Sequence, residues 1–119
     1  MPLEQQLQAL LAALAPVGGV YQDANPTELP VCPYIVWTNI VSSTNNTLAG
    51  ASDLQNARIQ IDVRSHRAAE RRTLADAVIA AMTADAAPFR ALQLSAFNRY
   101  EDDYKVFRRS IDFSVWSKD

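Results

Sequence analysis

Ile59, Ile61 and Val63 alternate with Arg58, Gln60, Asp62 and Arg64. A period of two marks a strand with one apolar and one polar face, and a slip of one residue would turn all three aliphatic side chains into water. A chain with this pattern must build a sheet that has a core on one side and solvent, or a polar partner, on the other. The C-terminal run repeats it. Phe107, Ile111, Phe113 and Val115 take one face with Arg109 at its start, while Arg108, Ser110, Asp112, Ser114 and Trp116 take the other. Residues 34–40 (YIVWTNI), dense in β-branched and aromatic side chains, and residues 92–97 predict two further strands, with Val20 and Tyr21 a short fifth candidate.

The sheet needs a cover, and two segments have helical periodicity. Leu3, Leu7, Leu10, Leu11 and Leu14 line one narrow face of a helix over 3–14, stopped by Pro16 and Gly18-Gly19. Leu74, Ala75, Val78, Ile79 and Met82 form the apolar arc of a second helix over 67–84. Arg71 falls inside that arc, either with its charge snorkelling to water or as a contact across a subunit interface. The economical arrangement is an α+β two-layer sandwich in a single domain spanning 1–119. It has an antiparallel or mixed sheet of about four to five strands with both helices on one face.

The connections are uneven. Residues 23–33 hold Pro26, Pro30 and Pro33 and are read as extended loop. Residues 100–104 are read as an acidic turn. Residues 42–56 (SSTNNTLAGASDLQN) are polar, small and turn-prone, and too long for a tight hairpin turn. They are read as a long inter-strand loop, either without a role or binding a partner.

Composition narrows the functional classes. Apolar residues make up 49% and charged residues 20%, which is ordinary for a globular domain and argues against disorder. The formal net charge is -2, so no bulk electrostatic case for nucleic-acid binding exists. Cys32 is the single cysteine, read as a small buried apolar residue, and it excludes an intramolecular disulfide. No segment reaches the roughly 18 apolar residues of a membrane span. Glu4 and glutamines stand where a signal peptide would be basic and apolar, so the chain is expected to remain in a reducing cytoplasm until assembly.

Candidate chemistry is sparse. His66 is the only histidine, and no Cys/His cluster suggests zinc. No phosphate-binding glycine loop or nucleophile elbow is present. Glu101, Asp102 and Asp103 lie adjacent in a turn, the pattern of solvated acids and not of two carboxylates held apart for acid–base work. Arg64, His66, Arg67, Arg71 and Arg72 are the best candidate for a charged patch, without aromatic interleaving. No cofactor or metal is expected.

Several stretches together carry a family likeness. They are Pro33-Tyr34-Ile35-Val36-Trp37, Leu48-Ala49-Gly50, Asn56-Ala57-Arg58-Ile59-Gln60-Ile61-Asp62-Val63, Leu74-Ala75-Asp76-Ala77-Val78 and the ending Phe107 to Trp116. In order and spacing they resemble the tail-completion protein family of long-tailed phages and prophages, also called tail-to-head joining or tail-terminator proteins. The resemblance implies a sheet packed by two helices and a structural virion protein, not an enzyme. It implies a ring, typically a hexamer, that caps the tail tube, ends its growth and docks the head connector, with DNA as passing cargo and no membrane. The 42–56 segment would project toward the tube, the connector or a neighbouring copy, with Asn45, Asn46, Thr47, Leu48 and Asp53 in contact. A ring needs two complementary patches, for which the outer sheet face and the 64–72 region are candidates, with Arg58, Arg64, Arg71, Arg72 and Trp116 named. Two other readings compete. One is a small dimeric α+β ligand-binding module with Tyr34, Trp37 and Trp116 as pocket walls. The other is a hydrolase or isomerase using His66 with Asp62 or Glu70.

Overall fold

The computed structural model describes residues 2–23, 31–47, 50–102 and 105–118, with backbone alone over 42–54 and at 118. Seven elements follow in order: α1 (Leu3–Ala12), β1 (Val20–Gln22), β2 (Tyr34–Thr47), β3 (Gly50–Ser65), α2 (Ala68–Thr83), β4 (Arg90–Glu101) and β5 (Val106–Lys118). The strands form one open five-stranded sheet in the order β1-β2-β3-β5-β4. β1 runs parallel to β2, and every other pair is antiparallel. The fold is α+β with a mixed sheet, as the periodicities require. No helix among the described residues is long and apolar enough to cross a membrane.

The period-two pattern is realised in the register. Ile61 pairs with Trp37 and Ile111, Ile59 with Asn39 and Phe113, and Val63 with Ile35 and Arg109. The apolar members of this set share one face and are fully buried. Leu3, Leu7 and Leu11 of α1 and Ala75, Val78 and Met82 of α2 close over them in a single core, with Leu74, Ile79, Leu10 and Leu14 at its margin. Burying each such aliphatic side chain contributes about 1.5–3 kcal/mol. α1 is fixed over the β1–β2 side by Gln8, whose Nε2 donates to the Val20 carbonyl (3.1 Å) and whose Oε1 accepts from Trp37 Nε1 (2.9 Å). Trp37 is thus buried with its one polar atom satisfied.

Gly18-Gly19 does more than stop α1. The Gly18 N–H donates to the Pro33 carbonyl (2.8 Å), and the Gly19 carbonyl accepts from the Ile35 N–H (3.1 Å). Gly19 has φ +91°, a conformation that glycine adopts without strain. The pair therefore lays the chain against the start of β2.

Two expectations are corrected. Residues 42–56 are not a loop: β2 continues to Thr47 and β3 begins at Gly50, with Asn46 opposite Ala51 and Thr47 opposite Gly50. Serine, threonine and asparagine lengthen the strands there without the apolar alternation that a core would impose. The segment is a long β-hairpin, irregular between Asn39 and Val41 and between Thr44 and Asn46. Likewise, Tyr100 and Glu101 belong to β4 and not to the acidic turn, because they pair with Phe107 and Val106.

Candidate functional site

The polar face of the sheet is knit together within the chain. Arg58 Nη2 lies 2.9 Å from Asp112 Oδ2, to which Ser95 Oγ also donates at 3.4 Å. Ser110 Oγ and Gln60 Nε2 donate to Asp62 Oδ1, at 2.6 and 3.3 Å. Arg64 is almost wholly covered. Its guanidinium lies 5.8 Å over the Tyr34 ring, donates to the Tyr34 hydroxyl (3.3 Å) and sits 3.9 Å from both Asp62 and Glu101. Arg108 joins Glu101 at 3.3 Å. The Arg58–Asp112 pair is half in water and contributes at most about 1 kcal/mol. The Arg64 cluster is better shielded, so it orders this face more than it attracts a partner.

The five arginine and tryptophan candidates do not form one patch. Arg58, Arg64 and Trp116 share the outer face of the sheet, where Arg64 pairs with Arg108 and Trp116 with Asn56. Arg71 and Arg72 lie on α2, across the core. Arg71 is half-buried with its guanidinium 5.6 Å over the Phe107 ring. Burial, and then the charge of Arg109, disfavour its cationic form. Arg58 and Arg72 are exposed and Trp116 is half-buried.

Tyr34, Trp37 and Trp116, the walls expected of a ligand-binding module, do not line one cavity, because Trp37 faces the core with Ile61 while Tyr34 lies on the other face beside Arg64. Trp37 is fully buried and Tyr34 nearly so, each packed into its own surroundings. A shallow cleft of about 320 Å³ opens elsewhere, lined by Gln6, Ala9, Leu10 and Pro88. The acid–base pairing of His66 is not assembled either. Its Nδ1 meets the Lys105 carbonyl (3.0 Å), Glu70 accepts from Ser65, and Asp62 is held by Ser110 and Gln60. Among the described residues no group of three or more His, Cys, Asp or Glu could hold a metal ion.

Cys32 is half-buried. Burial first and the Glu70 charge second raise its thiol pKa, against smaller opposing effects of the His66 backbone and Arg64. A raised pKa lowers the thiolate fraction near neutral pH, and the thiolate is the reactive form. Alkylation of Cys32 is therefore expected to run several-fold slower than that of a free thiol near neutral pH. It should accelerate as pH rises and again on unfolding in guanidinium. A native-state rate equal to that of a small thiol would contradict the burial.

Two open features remain. The first is the β2–β3 hairpin. β3 pairs with β5 only from Leu54 onward, opposite Lys118, so the ribbon beyond Thr44 and Leu54 outruns its neighbours by roughly 10 Å. Asn45, Asn46 and Thr47 lie on its β2 arm and Asp53 on its β3 arm. The side chains of these four, and Leu48 altogether, lie outside the described residues. The second feature is β4, the last strand of the sheet, with Leu92, Leu94, Phe97 and Tyr100 each about half exposed. Sequence reading missed it. The alternation over 92–97 reveals a strand, and nothing local says that the strand has no neighbour on its far side.

A domain whose outer sheet face ties Arg58, Arg64 and Arg108 to its own carboxylates, and whose openings are a protruding ribbon and bare strand edges, is suited to contact with other protein chains. The sequence matches the family described as Tail completion protein gp17 over residues 2–118. The chain belongs to that family and is a structural protein of the bacteriophage tail. Among solved structures it is similar to a chain of "Virion of native gene transfer agent (GTA) particle", at 22% identity and a TM-score of 0.66, over 98% of this chain and 91% of that one. At that identity the likeness is one of fold. A protein described as "Structure of without transmembrane region from Akkermansia muciniphila" is 11% identical over 69% of this chain and 44% of that one, with a TM-score of 0.38, too slight to bear on the fold. No curated protein matches the sequence.

Proposed function

We propose that copies of this chain form a ring, a hexamer by family resemblance, on the end of the finished tail tube, where the ring stops tube growth and joins the tail to the head connector. The observation that carries this reading is the ribbon that outruns its sheet, in a chain matched by the tail-completion family from residue 2 to 118. The hairpin reaches the tube or the connector through Asn45, Asn46, Thr47, Leu48 and Asp53. Arg58, Arg72 and Trp116 are left to subunit contact, whereas Arg64 and Arg71 are engaged within the chain. The chain is made in the host cytoplasm as a single domain. DNA crosses the ring as cargo, which suits a net charge of -2 that offers phosphate no strong hold.

Electron microscopy of lysates with and without the gene tests the proposal. Its loss is expected to give overlong or ragged tails beside tail-free heads. Normal particles in its absence would refute the assignment.

A further inference from the structure

Among the described residues both lateral edges of the sheet lack a neighbouring strand over part of their length, and they differ. On one side β4 runs for 12 residues, and among the described residues no strand lies beyond it. On the other, β1 pairs with β2 at Ile35, Val36 and Trp37, and among the described residues no strand lies beside β2 from Ile40 onward. Ile40 and Val41 are exposed along that stretch. A long bare edge with apolar side chains recruits another strand unless it is blunted, and β4 has no internal proline or lysine, its register broken once between Gln93 and Ser95 and its charges Arg90, Arg99 and Glu101 confined to its two ends.

Charge divides along the same line. The first 57 residues hold Glu4, Asp23, Glu28 and Asp53 and no lysine or arginine, a formal -4. The remaining 62 hold all eleven basic residues against nine acids, a formal +2. α1, β1 and β2 come from the first group and stand at one side of the sheet. α2, β4 and β5 come from the second and stand at the other.

Strand direction also fits. β2 and β5 are each antiparallel to β3, and β4 is antiparallel to β5, so β4 opposes β2. Copies related by rotation about an axis along the strands would bring β4 of one beside β2 of the next in antiparallel fashion. Antiparallel neighbours exchange backbone hydrogen bonds directly. Such a contact joins two different patches, as a ring requires.

We infer that a second copy of this chain occupies the β4 edge through its β1–β2 edge, so that one sheet continues from subunit to subunit. This inference rests on the ring reading above and names its interface. The register places Val41 level with Leu92, through Arg58 and Ser114.

Disulfide trapping in tails purified from producing cells tests it. In a Cys32→Ala background, Val41→Cys with Leu92→Cys, and Ile40→Cys with Leu94→Cys to allow for a one-residue slip, are expected to give a ladder of covalent multimers on oxidation. Each single-cysteine variant should stay monomeric. Dimers from Leu92→Cys alone would mean that β4 edges pair with each other, and would overturn the inference. So would the absence of any ladder in tails that carry the protein at their tip, a result that leaves the ring reading standing. Normal tails lacking the protein would instead defeat the ring reading itself. Leu94→Lys provides an independent variant. Its melting temperature should stay within about 3 °C of the parent, since exposed substitutions are small in effect, while its tails fail to complete. Completed tails with Leu94→Lys would also overturn the inference.

Discussion

Replacing residues 45–54 by Asn-Gly is expected to abolish tail completion while leaving the domain folded. Thr44 lies opposite Gln55, so a two-residue turn of this kind can close the shortened ribbon there. The core is untouched, because its contributors from β2 and β3 are Ile35, Trp37, Ala57, Ile59, Ile61 and Val63. Besides the ribbon's own pairs Asn46–Ala51 and Thr47–Gly50, the sheet loses the pairing of Leu54 with Lys118 at its rim. Circular dichroism and thermal unfolding should stay near the parent values, with a loss of no more than about 1 kcal/mol. Complementation of a gene-deleted phage should fail as completely as with no protein at all. Loss of folding would assign the ribbon to stability, and full complementation would remove it from the contact surface.

The second large effect belongs to a residue in the turn just before β1. Gly18→Ala would place a Cβ 1.7 Å from the Val31 carbonyl oxygen and 2.9 Å from Tyr34 Cβ. Backbone cannot yield as a flexible side chain does. The shift would strain three hydrogen bonds, from Gly18 to Pro33, from Tyr21 Oη to the Gly18 carbonyl and from Ile35 to Gly19. A cost of about 3 kcal/mol is expected, a fall in melting temperature of roughly 12 °C for a domain of this size. Val17→Ala is the control. Val17 is 75% exposed and should change stability by less than about 0.5 kcal/mol. A Gly18→Ala melting temperature equal to that of the control would disprove the close approach.

Why some of this was legible follows from which residues meet the core. Ile59, Ile61 and Val63, and Leu3, Leu7 and Leu11, announce their elements because burial enforces a period on them. Ser42 to Asn56 carries no such period, since the ribbon has no core to alternate against, and its composition reads as loop. Arg64 reads as facing a partner because its position alternates outward. Asp62 is two back on the same strand, but Tyr34 lies 30 residues back and Glu101 37 ahead in sequence, beyond any local pattern. The exposure of β4 depends on strand order, which no window of residues encodes. The contact surfaces were therefore harder to foresee than the fold, and the succession of family-like stretches pointed to function where chemistry could not.

The placement of the ribbon also has a mechanical meaning. Its β3 arm continues into the middle strand of the sheet, bonded to β2 on one side and to β5 on the other. Antiparallel hydrogen bonds lie across the strands, so a pull along the ribbon strains many of them together and does not open them one after another. Tension applied along the ribbon would pass through both ladders into the packed layer beneath α1 and α2. An anchor of this form resists extraction along its length and gives way most easily to a sideways peel.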